Sequence, residues 1–390
     1  MIKRRLKLLR VSFKKFGIDG YVIPKNDEFF SEYSSKDRLK TISNFDGSAG
    51  FAIILKNKNY LFVDGRYSIQ AEIQSGKNFK IVKYSKINNC KLFKNKTLGI
   101  DPKLFTSSQI SNFFLKNNKI KKIGINLIDR IKKKTFQSSK LFYSLPDEIV
   151  GENHKIKLKK VVTFIKKKHA NYLFVSASEN VAWLLNIRGW DNPNSPIPNC
   201  HLLLDDEARI FIVCKENKLL NLIKEKMIKK NQIIDPANFQ NFFKRLDKKK
   251  IIIDNKTCSI FYEDIFKSKL KVIKTEDPIY LLKSIKNKTE IKNMIESHVY
   301  DGVALTKFLY WIKKENNKTI TEFEAQNKLE NFRKMNKKYL FPSFNTIAGT
   351  AGNGAIVHYR ATKSNTKKIQ KKDIFLCDSG GQYKYGTTDV

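Results

Sequence analysis

Between Ile18 and Ile273 the chain passes twice through an alternation of short apolar runs and amphipathic segments, a pattern that confines a chain to α/β architecture. In the first round, residues 18–25 read as a strand (Ile18, Tyr21, Val22, Ile23) stopped by Pro24. FAIIL (51–55) and YLFV (60–63) then form a strand pair joined by the turn Lys56 to Asn59. A helix is expected over Tyr67 to Gln74, strands at Lys80 to Val82 and Leu98 to Ile100, and helices at Ser107 to Lys116 and Leu127 to Lys132. A polar bridge, Gly151 to Lys155, opens the second round: a helix over Lys157 to Lys168, a strand at Tyr172 to Val175, and a helix over Glu179 to Ile187. Strands follow at His201 to Leu204, Ile210 to Val213, Ile251 to Asp254 and Lys271 to Ile273. Two like-sized α/β units in tandem hint at a duplication, although no residue-level repeat is visible.

With 390 residues and 41% apolar side chains, the chain can fill more than one hydrophobic core and is globular. It contains no run of the ~18 apolar residues that span a bilayer, so no membrane partner is expected and the cytoplasm is the expected location. The five cysteines (Cys90, Cys200, Cys214, Cys258, Cys377) are odd in number, far apart and set in apolar stretches, as reduced core thiols are. No CxxC pair is present to build a thiolate zinc site. The formal charge of +39 suggests nucleic acid as a partner. Its distribution argues against that reading: short Lys runs (Lys132 to Lys134, Lys166 to Lys168, Lys248 to Lys250) are scattered end to end, and Lys far outnumbers the Arg that grips phosphates bidentately.

From Tyr280 the character changes. Ile291, Met294, Ile295, His298, Gly302, Leu305, Phe308, Leu309 and Ile312 recur at three- and four-residue steps, which predicts a long helix with this stripe buried. Thr321 to Asn331 reads as a second helix, with Thr321 and Glu324 at capping-box spacing. Turns and strands are expected after Phe341. In the final segment, IFLCDSGGQYKYGTTDV, an apolar strand ends in Asp378, a turn through Gly380, Gly381 and Gly386 reverses the chain, and a second strand brings in Asp389. Such a hairpin can set two carboxylates side by side, where their repulsion calls for a divalent cation. Spacing alone leaves the other reading open, in which one Asp serves the turn and the other lies on the surface. Likewise His358, after Ile356 and Val357, is as readily a packed core residue as a functional one.

At these residues the sequence resembles the pita-bread metallopeptidases of the Xaa-Pro aminopeptidase type. The DSGxQYxxGTTDV pattern is matched at Asp378, Ser379, Gly380, Gln382, Tyr383, Gly386, Thr387, Thr388, Asp389 and Val390, and FNTIAGTAGNGAIVHYR resembles the family's turn that ends in a His at the metal centre. FDGSAGFAII with LFVDGRYSIQA, ENVAWLLNIRGWD, and DPIYLLKSIKNKTEIKNM extend the likeness over essentially the whole chain. The resemblance implies two tandem creatinase-like α/β domains, 1–150 and 151–279, followed by part of a pita-bread catalytic domain, 280–390. It further implies a pair of divalent ions, commonly Mn2+, with Asp378 binding one, Asp389 bridging both, and His358 contacting substrate or assisting proton movement. The implied substrates are peptides with proline in second position, and a homodimer is common in the family. Trp183, Leu184, Ile187 and Ile291 are read as core residues.

One departure qualifies this. The family's remaining ligands, a His and two Glu, should lie further along the fold, and no residue of this chain takes those roles. The expectation is therefore of a fragment or truncated product, inactive as 390 residues. The alternatives are a prolidase, a non-catalytic binding module of the same fold, and a nucleic-acid binder.

Overall fold

The two rounds of alternation fold into two sheets of six strands with one topology. The computed structural model describes residues 1–31, 34, 36–87, 91–114, 118–131, 140–243, 249–314 and 319–390; Cys90, Lys132 to Lys134 and Lys248 lie outside them. The first sheet contains β1 (Gly20–Pro24), β2 (Phe51–Leu55), β3 (Asn59–Val63), β4 (Lys80–Lys83), β5 (Thr97–Ile100) and β6 (Lys119–Lys122), in the order β4-β3-β2-β1-β5-β6. The second contains β7 (Tyr172–Val175), β8 (His201–Asp205), β9 (Ile210–Val213), β10 (Ile233–Ile234), β11 (Lys250–Ile253) and β12 (Lys271–Lys274), in the order β10-β9-β8-β7-β11-β12. In each sheet the middle three strands pair antiparallel and the flanking pairs run parallel. Strand for strand, one is a copy of the other.

Both sheets are covered on two faces, which is why their central strands read as unbroken apolar runs, while β4, β6 and β12 carry exposed lysines. One face of the first sheet (Tyr21, Ile23, Ala52, Ile54) packs on α1 (Ile2–Phe16) through Leu6, Leu9 and Phe13. The second sheet (Leu173, Val175, Leu202, Leu204) receives α2 (His154–Lys167) in the same way, through Leu158, Val161 and Ile165. A sequence so rich in Lys and Arg masks α1, yet Ile2, Leu6, Leu9 and Phe13 keep the four-three-four spacing of one helical stripe. Ile260, at the start of α3 (Ile260–Lys267), joins the aromatic cluster on the other face of the first sheet. The two sheets and their helices thus make one compact unit. Cys200, Cys214 and Cys258 are buried free thiols, and Cys377 is half-buried.

One expected helix is not formed. Residues 127–131 are a turn, in which the Asn126 side chain accepts from the Ile128 N–H at 3.0 Å and Leu127 and Ile128 are buried. The side chain takes the bond that helical backbone would have made.

The second unit consists mainly of residues 286–390. It contains α4 (Lys288–Lys314), α5 (Glu322–Lys334) and four strands: β13 (Tyr339–Pro342), β14 (Ile347–Thr350), β15 (Phe375–Asp378) and β16 (Gly381–Tyr383). β13 pairs with β16 and β14 with β15, both antiparallel. Thr321 caps α5 in a capping box with Glu324, as the spacing predicts. Phe308, Ile320, Ala325 and Leu329 form its apolar centre.

The long helix α4 forms where expected but turns a different face inward. Its buried residues are Asn293, Ser297, Asp301, Ala304 and Phe308, whereas Ile291, Ile295, Val299 and Val303 are 48%, 61%, 59% and 51% exposed. Polar partners choose the face: Asn293 donates to the Ile149 carbonyl at 2.8 Å, and Asp301 pairs with Arg333 at 2.7 Å. Ile291, read from sequence as core, is thereby corrected to surface. Ile295→Gln should change stability by no more than about 0.5 kcal/mol, while Phe308→Ala should cost about 3–5 kcal/mol. Comparable shifts of the two urea midpoints would show that the apolar stripe is covered after all.

Candidate metal centre

A hairpin with fixed register sets the geometry. Ser379 and Val390 exchange both backbone hydrogen bonds at 2.9 Å, Thr388 N–H donates to the Gly381 carbonyl at 2.9 Å, and Tyr383 N–H donates to the Gly386 carbonyl at 2.8 Å. This ladder sets Asp389 opposite Gly380, two residues from Asp378. Side chains alternate between faces along a strand. Asp378 and Asp389 therefore project from one face as diagonal neighbours, and Ser379 and Tyr383 from the other. Glycine is required at 380: a Cβ there would stand 2.0 Å from the Thr388 carbonyl oxygen and 2.2 Å from Ser343 Oγ. At Gly386 it would meet Ser297 Oγ at 2.4 Å, so the hairpin lies directly on the small-residue face of α4.

The carboxylate face carries electrostatic strain. Burial raises the Asp378 carboxyl above its usual range, the Asp389 charge raises it further, and the His358 imidazole pulls the other way. Asp389 and His358, the other two residues singled out from sequence, thus both lie within reach of the Asp378 charge. Hard carboxylate oxygens beside an imidazole are suitable donors for a divalent ion. Among the described residues no group of three or more His, Cys, Asp or Glu converges at metal-binding distance, so the donors present suit part of a metal site.

The opposite face is held by a buried ion pair. Arg333, at the end of α5, donates to Asp301 of α4 from Nε at 2.7 Å and from Nη2 at 3.0 Å, with both side chains at most 1% exposed. Arg333 Nη2 also donates to Ser379 Oγ at 3.0 Å, and the Tyr383 hydroxyl donates to Asp301 Oδ1 at 2.9 Å. Burial alone would lower the Arg333 guanidinium, but the bonds and charge of Asp301 outweigh it and raise it. The alternation of Asp378, Ser379, Gly380 and Gly381 divides the strand into a face for chemistry and a face for anchorage.

A second buried charge holds the His358 turn. Glu322, the first residue of α5 and fully buried, accepts from Thr350 N–H (2.8 Å), Asn353 Nδ2 (3.0 Å), the Tyr359 hydroxyl (2.9 Å) and Lys367 N–H (2.8 Å). His358 stands beside the pinned Tyr359 with φ +59°, a left-handed conformation that few non-glycine residues adopt. Sequence reasoning missed Glu322, Arg333 and Asp301. Their signal was present in α5: Glu322, Ala325, Leu329 and Arg333 form one buried stripe with a charge at each end.

Comparison with known proteins agrees with this architecture. Residues 5–127 and 132–290 each match models of creatinase/prolidase N-terminal domains, and residues 292–390 match metallopeptidase family M24. The fold and site thus define a creatinase-type chain that leads into an M24 metallopeptidase domain. A probable Xaa-Pro aminopeptidase P of Paracoccidioides lutzii is 31% identical over 423 residues, covering 99% of this chain and 68% of that protein. The Xaa-Pro aminopeptidase 1 of Dictyostelium discoideum is 32% identical, covering 100% and 66%, and a probable Xaa-Pro aminopeptidase P of Laccaria bicolor is 33% identical, covering 99% and 63%. The crystal structure of an X-prolyl aminopeptidase from Caenorhabditis elegans, described as a cytosolic enzyme with a di-nuclear active site, matches with a TM-score of 0.91 at 26% identity. That match covers 100% of this chain and 69% of that one. The chain belongs to the Xaa-Pro aminopeptidase family, and it spans about two thirds of the length of these curated relatives.

Two outcomes follow from the geometry. Arg333→Leu, which strands Asp301 in the interior, should cost about 3–5 kcal/mol in chemical denaturation. In the metal-free chain, Asp389→Asn removes a neighbouring negative charge, so the Asp378 midpoint followed by carbon-detected NMR should move down. An unchanged midpoint would mean that the two carboxylates do not face each other.

Proposed function

We propose that this chain supplies part of the proline-specific aminopeptidase chemistry of its family, namely metal-dependent release of the N-terminal residue from peptides with proline in second position, which the complete gene product performs and the 390 residues alone do not. The observation that carries the reading is the pair of carboxylates on one face of a hairpin whose other face is anchored by Arg333 and Asp301. In this reading Asp378 and Asp389 would hold a pair of divalent ions, Asp378 serving one and Asp389 shared by both, with Mn2+ the proposed metal. Bound there, the ions would lower the pKa of the attacking water and polarise the scissile carbonyl. A further His and two Glu would complete the set; the two carboxylates alone hold an ion weakly.

His358 contacts substrate beside the carboxylates or assists proton movement around the scissile bond, and a carboxylate carries the proton to the leaving nitrogen. Glu322 and Arg333 keep the imidazole and the carboxylates at fixed separation, since each holds the backbone next to a functional side chain. A proline nitrogen has no hydrogen and sits in a rigid ring, so the substrate-facing surface must be shaped to it. The proposed domain division is 1–150, 151–279 and 280–390, with the chemistry in the last. A cytosolic location is proposed with the C. elegans enzyme in view; no helix among the described residues is long and apolar enough to cross a membrane.

The test compares a tripeptide with proline in second position against its alanine counterpart, using the complete gene product. Chelation should abolish release from the proline peptide and Mn2+ should restore it. Asp389→Ala should lower the rate by at least about a hundredfold, since even partners one step removed from a metal are worth 10–100-fold. Cleavage that persists after thorough chelation overturns the metal reading.

A further inference from the structure

The two sheets differ in a telling way at one equivalent position. In the first, Pro24 pairs with Phe51 where β1 ends and β2 begins. In the second, the β7–β8 register brings Ser176 opposite His201. Phe51 stacks on Phe62 with ring centroids 4.6 Å apart. His201 also lies among rings, 4.9 Å from both Phe29 and Tyr262 and 5.5 Å from Phe174, and is 4% exposed. The topology therefore needs only a flat apolar ring at this place. A histidine adds a buried polar nitrogen, which is unfavourable unless something bonds to it.

The tautomer is set by geometry. Nδ1 lies 2.8 Å from the Ser176 carbonyl oxygen, which can only accept, so Nδ1 carries the hydrogen. Burial lowers the imidazole to about 4, so the ring is neutral near pH 7 and Nε2 is a bare acceptor. Neither Nε2 nor the Tyr262 hydroxyl has a hydrogen-bond partner among the described residues.

Both side chains face a cavity of about 230 Å3. Phe29 enters it from the segment after β1, Lys103 from that after β5, Lys215 from that after β9, and Pro236 from that after β10. The cavity thus lies beyond the carboxyl ends of strands from both sheets, where open α/β sheets hold ligands. Its carboxylates are already engaged: Asp27 accepts from the Phe29 and Ser31 N–H groups, Glu28 pairs with Arg38, and Asp191 pairs with Lys218. Lys103, whose ammonium lies over the Phe261 ring at 4.8 Å, and Lys215 are exposed and have no carboxylate partner among the described residues. What remains unmatched is one buried acceptor, one hydroxyl, aromatic walls and positive charge.

We propose that this cavity binds a small flat organic anion that carries a hydroxyl or N–H donor. The donor bonds to His201 Nε2, the body lies against Phe29 and Tyr262, and the acid group meets Lys103 and Lys215. The site is independent of the metal chemistry, so its test needs no turnover.

The probe is 4-hydroxybenzoate, with benzoate lacking the donor and phenol lacking the acid. Calorimetry on the 390-residue chain should show 4-hydroxybenzoate binding about tenfold or more tightly than either, with a shift of the His201 ring nitrogens in 15N NMR. His201→Phe, the residue that the first sheet carries at this position, should keep the far-UV circular dichroism, weaken 4-hydroxybenzoate about tenfold and leave benzoate unchanged. Lys215→Gln, at an exposed position, should weaken both acids and spare phenol. The proposal fails if 4-hydroxybenzoate gives neither heat nor a His201 shift at up to about 10 mM, or if His201→Phe binds it undiminished. Should that variant not fold, unaltered 4-hydroxybenzoate affinity in Lys215→Gln overturns the proposal equally.

Discussion

The arrangement of the second unit depends on one buried cation. Arg333 is fully enclosed, and a guanidinium in that position must be answered by charge and hydrogen bonds at once. Asp301 supplies the charge from α4, and Ser379 supplies an acceptor from the hairpin. A single side chain thereby fixes α4, α5 and the strand that carries Asp378. The pairing also explains why α4 buries its polar face: the ion pair and the close approach of Gly386 to Ser297 leave no room for the isoleucines.

The helix α5 works as a ruler. Glu322 at its start organises the turn of His358, and Arg333 at its end organises the hairpin of Asp378 and Asp389. Both charges point inward from one rigid rod, so the imidazole and the carboxylates keep their spacing without touching the helix themselves. Fixing loops from below in this manner leaves their outer faces free of structural duty.

Legibility varied with the physics involved. Buried strands were readable because FAIIL, YLFV and their counterparts are apolar on both faces, and the Asp378 hairpin because Gly380, Gly381 and Gly386 punctuate it. The identical strand order of the two sheets was not readable, since topology survives substitutions that erase residue-level repeats. Hydrophobic periodicity found α4 but misjudged its inner face, because Asn293 and Asp301 are held by partners that the periodicity does not register. Lys and Arg between the apolar residues hid α1. The Asn126 side chain turned an expected helix into a turn. Glu322 and Arg333 escaped notice because a charge looks solvated until its partner, 28 or more residues away, is known.

The bare ridge of α4 has a colloidal consequence. Ile291, Ile295, Val299 and Val303 line up on an open helix face, and such surfaces drive chains together. The formal charge of +39 opposes this by mutual repulsion between molecules. Repulsion between exposed charges reaches only about 10 Å at 0.1 M salt and about 3 Å at 1 M, whereas apolar attraction is not screened. The cationic surface that looks superfluous to peptide chemistry therefore acts as a dispersant, and its protection weakens as ionic strength rises.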